Sequence, residues 1–539
     1  MHFLARHARA RRALAVVGFI AILGATGARV TPVPATSSQR AIGPSNVVFV
    51  LADDLDLASM KYMPHTRHLI GDRGATFDNY FVSDSLCCPS RATTLRGQYA
   101  HNTGVHANAG KDGGFETAYL LGIEHDTYAV RVQGVGYATG FFGKYLNHYP
   151  GKASPTYIPP GWDSWASAIS GKPYSEFNYT LNVDGQPVHY GYRASDYGTE
   201  VYFRHARSFM DQAHDEDRRF FAAINVYAPH MPSTPAPRDA ALFLHLRAPR
   251  TPAFDLADVT GQPAFIRDLP QFTRPEMKAI DHLYRLRLQS IQDVDREVAR
   301  LVRHLRREHE LRRTYIVFAS DNGFHLGQHR LPSGKETAYD TDIHVPLLVR
   351  GPGIRPGMHV HRLALNNDLA PTFDDIAGVP AAGFTDGRSL LPVLLGEHRA
   401  SGAARRAILI EHWAEVSANG VVRPTNSENR PDEEPQDADQ FDPRLNPDRI
   451  VGPYPLQDRT ILGRLRIIPE YRAVRTRHHL YVEYATGERE LYDLDHDPDE
   501  IHNLAGTMPA LERRLATRLD ALKRCRAAGC RDAEDRPTA

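Results

Sequence analysis

"NVVFVLADDLD", residues 46–56, is a run of β-branched and apolar side chains that stops at two adjacent carboxylates, Asp53 and Asp54. Two other stretches share the design. "FFAAINVYAPHMP" (220–232) runs out at His230, and "TYIVFASDNGFHLG" (314–327) runs out at Asp321 and Asn322. Continuous apolar runs of this length read as strands buried on both faces, which is the pattern of a mostly parallel sheet. Parallel strands bring their polar ends together at the carboxyl edge, where open α/β folds hold their ligands.

Helical patterns lie between these strands. In "LQSIQDVDREVARLVRHLRRE" (288–308) the apolar positions Leu288, Ile291, Val294, Val298, Leu301 and Leu305 give one buried stripe on a long surface helix. Alternating strands and helices predict an α/β fold, a large doubly wound and mostly parallel sheet domain with a smaller C-terminal α+β domain. The large domain is expected over residues 42–396 and the small one over 397–539. Within the latter, 423–449 is rich in Pro, Asp, Glu and Asn and reads as a long polar loop. Strand-like runs follow in "YRAVRTRHHLYVEY" (471–484) and "RELYDLD" (489–495), then a final helix in "ALERRLATRLDALKRC" (510–525).

The chain has 539 residues, 42% hydrophobic and 24% charged, enough for two real cores. Lys plus Arg and Asp plus Glu both total 64, so no overall charge draws the protein to nucleic acid or to a membrane surface. The first residues carry Arg6, Arg9, Arg11 and Arg12, then an apolar run over 13–23 and small residues over 25–28. That is the pattern of a secretory signal peptide, expected over 1–28, followed by a flexible spacer over 29–41. The protein is therefore expected to be secreted or extracytoplasmic and to meet a membrane only during export. A retained anchor is the competing reading, although the apolar run is short for a span of about 20 residues. Arg11-Arg12 also admits a twin-arginine signal.

Export places the 4 cysteines in an oxidising compartment. Cys525 and Cys530 close a small loop and are expected to pair with each other. Adjacent cysteines rarely bond to one another, so Cys87 and Cys88 in "LCCPSR" (86–91) are left over and need another reason. Pro89 reads as the first residue of a helix that continues through "SRATTLRG" and stops at Gly97. Cys87 then sits just before a helix amino terminus, where free N–H groups and the dipole favour an anion. A buried, inert thiol is the plainer alternative. At the strand ends, Asp53, Asp54, Asp321 and Asn322 offer oxygen ligands suited to a hard divalent cation, Ca²⁺ or Mg²⁺. Taken singly, each pair also reads as a turn or helix cap.

Cys87-Cys88-Pro89-Ser90-Arg91 resembles the core of the sulfatase signature C-x-P-S-R, whose first cysteine is converted after synthesis into formylglycine. "GYATGFFGKYLN" (136–147) is similar to the second sulfatase signature, which ends in Gly-Lys, here Gly143-Lys144. Asp53-Asp54, His230 in "APHMP", Asp321-Asn322 in "SDNG", Lys335 in "LPSGKETAYDTDIHVPLLVRGPGI" and the late "ELYDLDHDPDEIHNL" resemble further family blocks in the same order. The resemblance implies an alkaline-phosphatase-like fold and hydrolysis of sulfate esters. By it, Cys87 is the modified residue, and a formylglycine-generating enzyme is a partner during maturation. Asp53, Asp54, Asp321, Asn322 and the modified Cys87 are then the metal ligands, with Ca²⁺ expected and Mg²⁺ also suited.

In the family, one hydroxyl of the hydrated aldehyde attacks sulfur to give a covalent sulfo-enzyme, and the second expels sulfate. The resemblance assigns fixed positive charge to Arg91, Lys144 and Lys335, and sulfate contact with leaving-group protonation to His230. Asp321 is implied as a proton acceptor, and Ser90 as orienting the modified residue. Many sulfatases carry histidine two residues after the second signature's lysine. Here that place is Leu146, leaving Asn147 or His148 to supply the contact. The "GKYLN" and "LCCPSR" forms are similar to the subgroup of N-acetylglucosamine-6-sulfatases and related glycosaminoglycan sulfatases, so the expected substrate is a small or carbohydrate sulfate ester. Two alternatives stand beside it: a phosphonate monoester or phosphodiester hydrolase of the same superfamily, and an inactive binding protein on the same fold.

Overall fold

The computed structural model describes residues 43–397, 405–416, 422 and 467–537; the expected signal peptide, spacer and polar loop at 423–449 lie outside them. In chain order the strands are β1 (Asn46–Ala52), β2 (Ala75–Phe77), β3 (Tyr80–Phe81), β4 (Ala138–Gly143), β5 (Ser164–Gly171), β6 (Tyr179–Val183), β7 (Gln186–Tyr190) and β8 (Phe220–Asn225). They continue as β9 (Thr314–Ser320), β10 (Leu347–Arg350), β11 (Met358–Val360), β12 (Ala364–Leu365), β13 (Ala407–His412), β14 (Tyr471–Thr476), β15 (His479–Tyr484) and β16 (Arg489–Asp493).

Ten of them form one sheet in the order β11-β2-β10-β9-β1-β8-β4-β5-β6-β7. Its centre, β9-β1-β8-β4-β5, is parallel throughout. Antiparallel pairing sets in outside that block, at β10 on one side and β6 on the other. The three apolar runs are β1, β8 and β9, adjacent at the middle of the sheet. A second, antiparallel sheet, β13-β14-β15-β16, carries the C-terminal α+β layer, and β12 pairs with β3. Both sequence expectations, the doubly wound sheet and the small α+β element after it, are met.

Alternation along β1 explains why its sequence is apolar at every position. Val47, Phe49 and Leu51 enter one core, with Tyr128, Phe221 and Phe373. Val48, Val50 and Ala52 enter the opposite core, against Ile291, Val294 and Val298 of the long helix Arg274–Arg307. A side chain buried this way stabilises by roughly 1.5–3 kcal/mol, and both faces of the strand contribute. The small sheet belongs to the first core, since Leu409, Val474, Leu480 and Leu491 join the same cluster as Val47. The disulfide between Cys525 and Cys530 forms as expected.

The long helix begins well before Leu288, the first apolar position of its sequence stripe. It starts at Arg274, where the Thr273 hydroxyl accepts the Glu276 N–H and the Glu276 carboxylate accepts the Thr273 N–H. That reciprocal cap, with Pro275 in the first turn, is a local start signal that the apolar stripe alone does not mark.

The helix Gly198–Asp215 packs on the same face, and its first turn is fixed by a distant carboxyl group. Glu176 accepts the Thr199 N–H at 2.6 Å. Burial, helped by Asp293, pushes its pKa up to about 8, against the Thr199 hydrogen bonds that lower it. A carboxyl whose folded pKa lies above its unfolded value of 4.5 favours folding in its protonated form. Its contribution is complete below the unfolded pKa and is lost as pH rises through the folded one. Glu176→Gln should therefore gain stability over the native protein between pH 5 and pH 8.5, read as a widening gap in Tm; a constant gap would contradict this.

Phe49 is buried and its ring lies 5.1 Å from that of Phe373. Phe49→Ala is expected to cost about 3–5 kcal/mol. Calorimetry should show Tm lowered by several degrees; an unchanged Tm would mean that β1 does not organise the core.

Candidate active site

Four parallel strands deliver the polar residues. β1 ends at Asp53 and Asp54, β9 at Asp321 and Asn322, β4 at Lys144, and β8 leads after a short turn to His230. Asp54 adopts a left-handed backbone, φ 64°, which aspartate tolerates better than most residues. Gly143, just before Lys144, has φ 117°, and a Cβ there would lie 1.9 Å from the Asn225 carbonyl oxygen. Only glycine lets β4 turn its lysine inward at that point.

The helix Cys87–Arg96 supplies the rest. It begins at Cys87 itself, with Pro89 as its third residue, two positions later than the sequence reading placed it. The cost is nil, because the first turn has no intrahelical acceptors for its N–H groups and the ladder starts with Ser90 N–H to the Leu86 carbonyl. Gly97 ends the helix at φ 74°, as expected. The two cysteines separate at this turn. Cys88 joins the apolar core, while the Cys87 sulfur lies 3.3 Å from Asp53 Oδ1 and 3.9 Å from Asp54 Oδ1.

Cations interleave with the carboxylates. Lys335 Nζ is 2.8 Å from both the Cys87 sulfur and Asp54 Oδ1. Lys144 Nζ donates to Asp53 Oδ2 at 2.6 Å. Arg91 donates through Nε to Asp321 Oδ2 and through Nη1 to the Lys144 carbonyl, both at 2.8 Å. His230 Nε2 faces Asp54 Oδ2 at 3.7 Å, and its Nδ1 lies 2.7 Å from the Met231 carbonyl. The Tyr174 ring closes one side, 4.6 Å from the His230 ring and 4.9 Å from Lys144 Nζ. Ser90 donates to the Asp321 carbonyl at 2.5 Å and accepts from Asn366 at 3.0 Å, which locks the helix to β9.

All the charged groups here are buried, with Tyr174 half-buried beside them, and the electrostatics follow from that. Burial opposes the charge on Asp53, but Lys144, His230 and Arg91 outweigh it and hold the carboxyl well below its usual range. Asp54 is likewise lowered, with Lys335 and His230 overcoming burial. Burial and the nearby Asp53 charge raise Asp321 to about 7. Burial lowers His230 in spite of Asp54, and Asp53 raises Lys144 in spite of burial.

The donor set fits a hard divalent cation. Asp53, Asp54, Cys87 and His230 present ligand atoms within 4.8 Å of one another. Asp54 Oδ2 and Asn322 Oδ1 are buried without a hydrogen-bond partner among the described residues, while Asn322 Nδ2 donates to Asp54 Oδ1 at 2.7 Å. Oxygen atoms stranded in this way are what a calcium or magnesium ion would satisfy.

The expected residues Asp53, Asp54, Cys87, Arg91, Lys144, His230, Asp321, Asn322 and Lys335 thus converge. Leu146 packs in the apolar core and His148 is exposed, whereas Asn147 is buried and its carbonyl receives the Phe115 N–H at 2.8 Å. Sequence reasoning missed two supports. Arg287 is buried on the long helix, over the Phe324 ring at 4.1 Å, and donates to the Asp54 carbonyl at 2.5 Å and to Asp56 Oδ2 at 3.2 Å. An arginine four residues before Ile291, on the apolar stripe, was the available signal. Asp342 holds the loop carrying Lys335 by accepting the Thr337 N–H at 3.0 Å and facing His325 Nδ1 at 2.9 Å. A lone Asp in a loop gives no such signal.

A doubly wound sheet with acids, cations and a helix-terminal cysteine crowded at its carboxyl edge has the architecture of an enzyme for anionic esters. Residues 45–379 match the Sulfatase family, and the chain belongs to that family of sulfuric ester hydrolases. It is 34% identical to N-acetylglucosamine-6-sulfatase of Homo sapiens over 510 residues, 90% of this chain and 86% of that one. It is 37% identical over 360 residues to an extracellular sulfatase SULF-1 homolog of Drosophila melanogaster, covering 66% of this chain but spanning only 32% of that protein. The fold is similar to a solved protein in complex with its substrate D-glucosamine-2-N,6-O-disulfate, with TM-score 0.69, 22% identity, and 91% and 99% of the two chains covered.

Arg287→Met should leave the buried Asp54 carbonyl short of its donor, at about 1–3 kcal/mol, whereas Asp56 keeps its bonds from Ser59. Lowered Tm together with lowered activity is the expected result, since the same contact holds the strand end that carries Asp54. Full activity at reduced Tm would show that Arg287 supports the fold alone.

Proposed function

We propose that the protein is an exported sulfatase whose Cys87 matures to formylglycine and which acts, with a bound divalent cation, on sulfated amino sugars. The observation that carries the reading is the separation of the paired cysteines. Cys88 lies in the core, while Cys87 stands at a helix amino terminus with Lys335 Nζ at 2.8 Å and Asp53 Oδ1 at 3.3 Å. The substrate class follows from likeness to N-acetylglucosamine-6-sulfatase, and export from the basic and apolar N-terminal pattern and the extracellular relatives. Among the described residues no helix is long and apolar enough to cross a membrane.

Asp53, Asp54, Asp321 and Asn322 would hold the cation, with Ca²⁺ expected and Mg²⁺ also suited. The cation supplies charge neutralisation and a lowered nucleophile pKa. Hydrated formylglycine supplies one hydroxyl for attack and a second for release, a chemistry serine lacks. The chain's own residues do the remainder. Lys144, Lys335 and Arg91 hold the sulfate oxygens and the nucleophile in a buried, fixed field of positive charge, strongest where water is excluded. His230, whose Nδ1 is held by the Met231 carbonyl, directs Nε2 at the ester oxygen and, when protonated, hands that proton to the departing alcohol. Asp321 receives the proton of the attacking hydroxyl. Ser90, bonded to β9 and Asn366, holds the first helical turn and so aims residue 87.

The first test is mass spectrometry of the alkylated tryptic peptide 74–91 from the native producer. One alkyl group and an aldehyde are expected, and two alkylated cysteines in active protein would overturn the reading. Cys87→Ala should lower kcat/KM for N-acetylglucosamine 6-sulfate by at least about a thousandfold. Faster turnover of a phosphate diester or phosphonate monoester would reassign the substrate. His230→Ala should lower kcat by about 10²–10⁴-fold, and less for an aryl sulfate, whose leaving group needs no proton. For the cation, millimolar Ca²⁺ added to chelator-treated protein should raise Tm, and Asp54→Asn should abolish that shift.

A further inference from the structure

Asp84 stands three residues before Cys87, and neither of its carboxylate oxygens has a hydrogen-bond partner among the described residues, although the residue is 0% exposed. Its segment is pinned on both sides. The Ser83 carbonyl receives the Glu411 N–H at 2.8 Å, and the Ser85 hydroxyl donates to the Thr337 carbonyl at 2.9 Å. Asp84 therefore lies between the end of β13 and the loop that carries Lys335 and Glu336, three residues before Cys87.

The surroundings do not neutralise it. Burial, then the charges of Glu411 and Glu336, raise its pKa well above the carboxylate range. Arg472, whose charge opposes that rise, lies over the Trp413 ring at 3.9 Å and 3.9 Å from Glu411. His412, one residue beyond Glu411, is also buried with Nδ1 unpartnered, and its Nε2 is 3.9 Å from Glu336. The Ser83 hydroxyl is a third buried group without a partner.

A buried acceptor without a donor costs about 1–3 kcal/mol, more when charged, and native proteins keep few of them. Ser83 and Asp84 are consecutive, and His412 follows Glu411, which is hydrogen-bonded to Ser83. Three such groups thus gather a few residues from Cys87, the pattern expected where a ligand completes the hydrogen bonding. The Asp84 carboxyl calls for hydrogen-bond partners and offers an anion no positive charge, whereas a sulfate group is drawn to Lys335 and Lys144. The two ends of the pocket thus select two ends of one molecule.

We propose that Asp84, with His412 beside it, is the subsite that receives the ring hydroxyl groups of the sugar carrying the sulfate. The proposal rests on the sulfatase reading above and adds the residues that distinguish a sugar ester from a simple one. An aryl sulfate reaches the Cys87 end but offers Asp84 no donor.

The test compares N-acetylglucosamine 6-sulfate with 4-nitrophenyl sulfate in the mature enzyme and in Asp84→Asn and Asp84→Leu. The ratio of kcat/KM for the sugar to that for the aryl ester should fall at least tenfold in both variants, chiefly through KM for the sugar. Their Tm should equal or exceed that of the native protein, because a stranded carboxylate has been removed. Equal losses on both esters, or Tm lowered by several degrees in both variants, would make Asp84 a structural residue and overturn the proposal. Native protein that hydrolyses the aryl ester but not the sugar would overturn the subsite and leave the sulfatase reading standing. Hydrolysis of neither would overturn both.

Discussion

Two neighbouring carboxylates buried at the end of one strand are the constraint around which the carboxyl edge of the sheet is arranged. Asp53 and Asp54 are both 0% exposed, and charges so placed are tolerated only with close partners. Each therefore demands its own cation, Lys144 for Asp53 and Lys335 for Asp54, while Arg91 neutralises Asp321 between them. Asp54 is the most heavily connected of the three. Its N–H donates to Asp321 Oδ1, its carbonyl accepts from Arg287, and its Oδ1 accepts from Asn322 and Lys335. Removing one member would leave another buried and unpaired.

Sheet topology meets this demand economically. Parallel strands end at one edge, so β1, β4, β8 and β9 bring residues far apart in the chain to a common point without long loops. The apolar faces of those strands hold the edge still, because both sides of β1 are packed. What the strands cannot supply comes from the helix at Cys87, tied to β9 through Ser90, and from the Lys335 loop, tied down through Asp342. Rigid supports of this kind let charged groups keep fixed positions, which is what electrostatic catalysis requires.

The pocket is polarised. Cations surround Cys87, while acids gather around Asp84, whose carboxyl oxygens have no partner among the described residues. A sulfated sugar has an anionic end and a hydroxylated end, and the two surroundings match that division.

Much of this was legible in the chain. The apolar runs and their polar ends, with Asp53, Asp54, His230, Asp321 and Asn322, were readable because continuous burial of a strand leaves a continuous apolar pattern. The cysteine pair and the lysines gained their roles from the sulfatase resemblance. Leu146, at the place where the resemblance led one to look for histidine, packs in the core. Sequence alone determined the sheet, its functional edge and the residue types gathered there, since local periodicity and charge are written residue by residue. Only the tertiary structure decided that Cys88 is taken up by the apolar core, that Arg287 clamps Asp54, and that Asp84 is buried without a partner among the described residues. Those outcomes depend on which atoms meet across hundreds of residues, and local pattern carries no record of that.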